Sequence, residues 1–265
     1  MAIIVLSLVV ETPYIFLGVF AIISVLSINE LHNLASAHMA GGKAHAVIKA
    51  IDMAGAVAIF LSLYYLYNGV SHPGLVALPA LVYFVARMVA QLYVRSGNNV
   101  LDLALSALCT VYVAMPLGLL NVIYFGFSPA TLLAALILIW VNDTGAYCIG
   151  TPLGRHRLFL RISPKKSWEG FWGGLVACLV VSALFSHFDG YFGGDGLAWW
   201  LGFGVVTSVF ATWGDLCESL IKRTFAVKDS SNLLPGHGGI LDRNDSLLIV
   251  TPAILVYLTV TAALS

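Results

Sequence analysis

Residues 214–245 read GDLCESLIKRTFAVKDSSNLLPGHGGILDRND, a run that is polar, punctuated by glycine and dense in both signs of charge. Nearly everything on either side of it is apolar, and that contrast decides the fold. The 265-residue chain is 60% hydrophobic and only 10% charged, with a mean hydropathy of +0.93. Apolar runs of membrane-spanning length, about 20 residues as a helix, recur along it. The composition therefore reads as an all-α polytopic membrane protein, with about eight full transmembrane helices plus a short N-terminal one.

Outward from the polar run, a long helix is expected from about residue 197 through Trp213 into Asp215 and Lys222. A last span covers about 246–264, and earlier spans fall at about 13–34, 47–67, 74–95, 100–121, 129–149 and 169–187. Residues 2–10 are apolar but too short to cross alone; they are a half-helix packed on neighbours or the end of a span that starts upstream. The first residues show no basic n-region or cleavage site, so no removable signal peptide is expected. Residues 1–128 are read as N-terminal helices for packing, dimer or lipid contact, and 129–265 as a catalytic region of the same integral membrane unit. Gly170, Gly173 and Gly174 open the sixth full span and predict close helix contact there. Cys109, Cys148, Cys178 and Cys217 lie in apolar or helix-like segments without metal-ligand spacing, and are expected to pack rather than pair.

Net charge is zero, with 13 basic and 13 acidic residues, so placement carries the information. If the spans alternate, one side receives the loops 35–46, 95–99, 150–168 and 222–245. Those loops and the adjoining helix ends hold every Lys and Arg except Arg87. The opposite loops hold none and carry Asp189 and Asp195. The positive-inside rule makes the basic side cytoplasmic, and the motif-bearing segments converge there.

Within the run, Asp215, Glu218, Ser219 and Lys222 fall on one helix face. Acidic residues at the edge of an apolar span need a wet cavity, a metal or a partner. Asp242 and Asp245 share a face if the start of the last span is helical. Between the two acidic helix ends lies LPGHGG (234–239), whose glycines let backbone N–H groups approach a phosphate. Lys222, Arg223, Lys228 and Arg243 are close in sequence. Carboxylates for a hard divalent cation such as magnesium, with basic groups for the remaining phosphate oxygens, suit phosphoryl or nucleotidyl transfer. Each feature also has a plainer reading. Glu218 and Lys222 form an ordinary i, i+4 ion pair, with Glu218 orienting Lys222 rather than binding metal. The glycine loop is a turn, the basic loop 150–168 touches anionic lipid headgroups, and Arg87 pairs with Asp52 or Asp102 for structure. Their coincidence on one side favours the chemical reading.

SLIKR (219–223), KDS (228–230) and LPGHGGILDRND (234–245) resemble the signature of the phosphatidate cytidylyltransferases, or CDP-diacylglycerol synthases. DTGAY (143–147), SPKKSWEG (163–170) and GDL (214–216) are similar to the other blocks of that family, in the same order. The resemblance covers about 130–250 in motif detail; over the N-terminal half it rests on hydropathy and NEL (29–31). One position departs: the family usually has an apolar residue where this chain has Asn244.

The resemblance implies transfer of CMP from CTP to phosphatidic acid, with magnesium required and a monovalent cation such as potassium accommodated at the metal centre. It implies Asp215 and Asp242 as metal ligands, with Asp245 and Asp143 as further candidates. Lys222, Arg223, Lys228, Asp229, His237 and Arg243 are the implied catalytic or phosphate contacts. Ser163, Lys165, Lys166, Gly236, Gly238 and Gly239 are the implied nucleotide-binding set. The expected partners are CTP, phosphatidic acid and the bilayer, with a homodimer open and no nucleic acid. The expected place is the inner membrane, with the active site facing the cytoplasm. Two rivals stay open: a CTP-dependent lipid kinase of the dolichol-kinase kind, and an ion or solute transporter using Asp143, Asp215 and Asp242.

Overall fold

Proline and short polar residues mark where the apolar helices begin. In the computed structural model the described residues are 2–9, 12–36, 43–67, 73–94, 98–231 and 238–264. Helix α1 (Ala2–Val9) is the short N-terminal segment, followed by α2 (Pro13–Ser36), α3 (Lys43–Tyr67) and α4 (Pro73–Tyr93). The fourth span is broken: α5 (Asn99–Leu108) and α6 (Met115–Gly126) are joined by a π-helical turn over Cys109–Ala114. Then come α7 (Pro129–Leu153), strands β1 (Arg157–Phe159) and β2 (Ser163–Ser167), α8 (Trp168–Phe185), the one-turn α9 (Asp189–Phe192), α10 (Gly196–Thr224) and α11 (Leu241–Leu264). Among the described residues eight helical segments are long and apolar enough to cross a membrane, so the expected helical, multi-span chain is what the structure contains, with the short β1–β2 pair as its one departure.

The starts are chemically ordinary. Ser128 caps α7 by accepting from the Ala130 N–H at 3.1 Å, with Pro129 in the first helical position. Asn98 caps α5 through the Val100 and Leu101 N–H groups, both at 3.1 Å. Asp189 accepts from the Gly196 N–H at 3.0 Å at the entry to α10.

The chain divides into two compact units, Met1–Gly126 with Thr224–Asn244, and Phe127–Arg223 with Asp245–Ser265. Inside the first unit is a buried polar network. Asp52, only 1% exposed, accepts from Ser106 Oγ (2.6 Å) and Tyr83 OH (3.0 Å), and its carboxylate lies 2.9 Å from His32 Nε2. Arg87 Nε stands 3.4 Å from Asp52 and donates to Ser106, while its other nitrogens donate to Gln91 and to the Asp102 carbonyl. Arg87 thus joins Asp52 through its charge and Asp102 through the backbone. Much of α4 stays exposed and apolar, including Leu78, Leu81, Val82, Phe84 and Val85, as a helix solvated by hydrocarbon can be.

In the second unit α7 and α8 pack at glycine distance. A Cβ on Gly174 would lie 2.6 Å from Asn142 Oδ1 and 2.8 Å from its backbone oxygen. The loop expected at 150–168 is partly a hairpin: β1 and β2 pair antiparallel with a register shift between Arg157 and Phe159. Three-residue pairing interrupted by Pro164 and lysines leaves too little alternation to be seen in sequence. Its geometry is set by Glu169, whose carboxylate accepts the N–H groups of Arg155 (3.1 Å) and His156 (3.2 Å) and sits 2.6 Å from His156 Nδ1.

This packing predicts opposite outcomes for two alanine substitutions. Gly174→Ala forces backbone or Asn142 to move and should lower the thermal unfolding midpoint in detergent, at a cost of about 1–3 kcal/mol. Gly18→Ala meets nothing within 4 Å and should be neutral or stabilising, by up to about 1 kcal/mol from helix propensity. Equal midpoints for both variants would contradict the glycine-limited α7–α8 contact.

Candidate active site

The second unit gathers the motif residues of α7, the hairpin and α10 around a cavity of about 490 Å³. Asp143, Asp215, Arg157, Lys165 and Lys166 all line it. Lys166 projects from β2 so that Nζ lies 2.7 Å from Asp215 Oδ2, and it also donates to the Thr212 carbonyl at 3.3 Å. The other Asp215 oxygen accepts from Ser219 Oγ at 3.2 Å, one helical turn on. Asp143 of α7 and Asp215 of α10 thus open on one cavity with the Lys166 ammonium.

Two packing features place these acids. Asn142, 2% exposed, accepts from Ser208 Oγ (2.7 Å) and faces Thr212 Oγ1 (3.4 Å), which pins α7 to α10 beside Asp143 and Asp215. A Cβ on Gly214 would stand 2.8 Å from the Asp245 carbonyl and the Ser246 Cα, so only a glycine lets α10 meet α11 where Asp215 follows in the chain. Glu218, fully buried, holds Lys222 Nζ at 2.6 Å, the orienting role the helix spacing suggested. Arg223 Nε reaches the Ile162 carbonyl at 3.4 Å and ties the end of α10 to the hairpin turn. Ser163 is half-buried and Lys165 exposed on β2.

The first unit holds the rest of the polar run. Asp242 opens α11, and its carboxylate accepts the backbone N–H groups of Ser230 (2.9 Å) and Gly239 (2.8 Å). Gly238 takes a φ of +80°, and a Cβ there would lie 2.7 Å from Asp242 Oδ2, so a side chain at this turn would be strained and would press on the Asp242 carboxylate. Lys228, Asp229 and Arg243 are exposed. Asn244 is buried and donates to the Ile240 carbonyl at 2.8 Å, which gives the polar residue at this position a local purpose. Gly236 and His237 lie outside the described residues.

Several residues that shape these sites were not assigned a role from sequence. Glu30 and Glu169 lie within motifs that give them no role of their own, and nothing local marks Asn142, Ser208 or Thr212. Glu30 was detectable in principle, since an ionisable residue inside an apolar span is a functional or structural signal by itself. Ser208 and Thr212 stand at i, i+4 on an apolar helix, a spacing that says nothing of their partner.

Known proteins resemble this chain over about half its length. The phosphatidate cytidylyltransferase of Haemophilus influenzae is 45% identical over 123 residues, 46% of this chain and 43% of that protein. Those of Staphylococcus saprophyticus and Staphylococcus aureus are 44% identical over 129 residues, 48% of this chain and 48% of each. The matched stretch thus spans about half the length of these curated relatives. The model of the cytidylyltransferase family matches residues 1–261. With its motif blocks in one membrane-spanning chain and the family model extending over nearly all of it, this chain belongs to the cytidylyltransferase family.

Proposed function

We propose that the chain transfers CMP from CTP to phosphatidic acid, giving CDP-diacylglycerol and pyrophosphate for phospholipid synthesis at the cytosolic face of the inner membrane. The observation that carries this reading is the cavity lined by Asp143 and Asp215 together with Arg157, Lys165 and Lys166, the last held 2.7 Å from Asp215. The donor set suits a hard divalent cation, since it is carboxylate oxygen opening on a cavity. Asp143, Asp215 and Asp245 would hold magnesium, with Asp242 as the further acid assigned from the sequence motif. Bound there, magnesium would supply the charge neutralisation a triphosphate needs before an anionic nucleophile approaches. A monovalent cation such as potassium belongs to the same proposal.

The chain's own groups do the rest. Lys166, Lys165 and Arg157 neutralise phosphate oxygens in the cavity, Arg157 in two-pronged fashion. Lys222, Arg223, Lys228, Asp229, His237 and Arg243, with Ser163 and the glycines 236, 238 and 239, are assigned as nucleotide and phosphate contacts from the motif. A phosphate oxygen of phosphatidate bonds to the α-phosphorus of CTP, and the bond from that phosphorus to the bridging oxygen breaks. Pyrophosphate leaves with the electron pair. The nucleophile is already anionic, so no strong general base is required; positioning and electrostatic stabilisation suffice.

The test uses detergent-solubilised protein, phosphatidic acid, magnesium and CTP labelled at the α-phosphate. Label should enter a lipid product, pyrophosphate should appear, and chelation should stop the reaction. Label held in soluble CDP with a lipid acceptor required would indicate the lipid kinase, and no conversion at all would revive the transporter. Asp215→Asn should lower kcat by about 100-fold or more while the protein still inserts and unfolds near the wild-type temperature. Near-wild-type turnover in that variant would remove Asp215 from the metal assignment.

Orientation has its own check. In a background with the native cysteines changed to serine, Asp195→Cys should react with a membrane-impermeant thiol reagent on intact cells. Arg161→Cys, on the exposed hairpin turn, should react only after permeabilisation. The reverse pattern would invert the proposed topology.

A further inference from the structure

Glu30 is 1% exposed near the end of the first apolar span, where a carboxylate without partners would be strongly disfavoured. Among the described residues no Lys, Arg or His nitrogen lies within ion-pair distance of it. It is solvated instead by donors from residues some two hundred positions away. Oε1 accepts from Ser231 Oγ (2.6 Å) and the Ile240 N–H (2.9 Å). Oε2 accepts from Ser230 Oγ (2.9 Å) and the Leu241 N–H (2.9 Å).

Two of these donors are backbone N–H groups at the start of α11, which have no partner within the helix. Glu30 satisfies them as an N-cap side chain does, but from another helix, and its negative charge lies at the favourable end of the helix dipole. The other two donors belong to Ser230 and Ser231, on the opposite side of residues 232–237. One carboxylate thus grips both stems of that segment. Asp242 stitches the same stems through the N–H groups of Ser230 and Gly239. The fit is tight: a Cβ on Gly239 would overlap both Ser230 Oγ and the Glu30 carboxylate.

We propose that Glu30 is a positioning residue for nucleotide binding: it fixes the first turn of α11, which carries Asp242 and Arg243, and the stem that carries Lys228 and Asp229. Glu30 itself touches no substrate. The inference rests on the reading of those residues as metal and phosphate contacts. It extends that reading to a helix outside the motif blocks, and it gives the first span a part in catalysis.

Glu30→Gln is the informative variant, because it keeps shape and loses charge. A carboxamide can accept with one oxygen only, and its NH₂ would face a backbone N–H that cannot turn round. The first measurement is amide hydrogen exchange over residues 238–250 in the full chain, which needs no activity. Exchange at Ile240 and Leu241 should quicken by about 10-fold or more in Glu30→Gln and further in Glu30→Ala. The second is steady-state kinetics. KM for magnesium–CTP should rise several-fold while KM for phosphatidic acid stays within about twofold, a split that a general loss of fold would not give. If Glu30 variants fail to accumulate, Ser231→Ala removes one donor from the other side and should produce the same split in smaller degree. The double variant with Glu30→Gln should then be less than additive.

Unchanged exchange in Glu30→Gln overturns the clamp. Faster exchange with wild-type KM for magnesium–CTP overturns the positioning role and leaves the function reading standing. A wild-type chain with no CTP turnover overturns the function reading and the positioning role with it.

Discussion

A carboxylate in a chain this apolar must be matched by donors or by a cation, and the structure is arranged around the ways that requirement is met. Among the described residues Glu30 is matched by hydroxyl and amide donors alone. Asp52 is matched inside a polar network with His32, Tyr83, Arg87 and Ser106. Glu218 holds one lysine of its own helix, and Asp215 holds one lysine brought by the hairpin. These differ in a way that separates scaffolding from chemistry. Glu30 and Asp52 are closed to solvent and saturated, so exchanging a partner would leave a buried charge bare. The Asp215 and Lys166 side chains are 35% and 25% exposed at a cavity, so water can solvate either charge when the pair parts.

Much of this was legible in the sequence, because the period and length of apolar runs are strong signals. All eight spans fall where hydropathy put them, and the start of α11 is helical through Asp242 and Asp245, which meets the condition for the two to share a face. The spacing of Asp215, Glu218, Ser219 and Lys222 also predicted real contacts, since i, i+4 neighbours need no tertiary information. The hairpin was missed because its strands are short and charged. Its organiser, Glu169, acts on residues 13 and 14 positions earlier through backbone groups that no pattern shows.

Long-range partners were the harder part. Nothing local says that Glu30 meets Ile240 and Leu241, or that Asn142 meets Ser208. What could be read was the anomaly: a single acid or amide inside an apolar helix, which has to find a partner somewhere. Such residues predict that a contact exists without predicting with what. Asn244 is a small instance, since it departs from an apolar pattern and satisfies itself on Ile240 one turn back.

The polar run therefore divides by the partners it has, not by its own composition. Its first part, through Arg223, packs with the helices that line the cavity; the part from Thr224 to Asn244 packs with the N-terminal helices. The second part is rich in glycine and polar backbone, which cannot be left unsatisfied near hydrocarbon. Asp242 takes up two of its N–H groups and Glu30 two more, so acids do for this segment what a sheet edge or a helix would do elsewhere. Each acid thereby loses freedom to move. Restraint of this kind costs ordering entropy once, at folding, and leaves less to be lost when a ligand is bound. One of the two restraining carboxylates comes from the first span, so the N-terminal helices take part in ordering the start of α11.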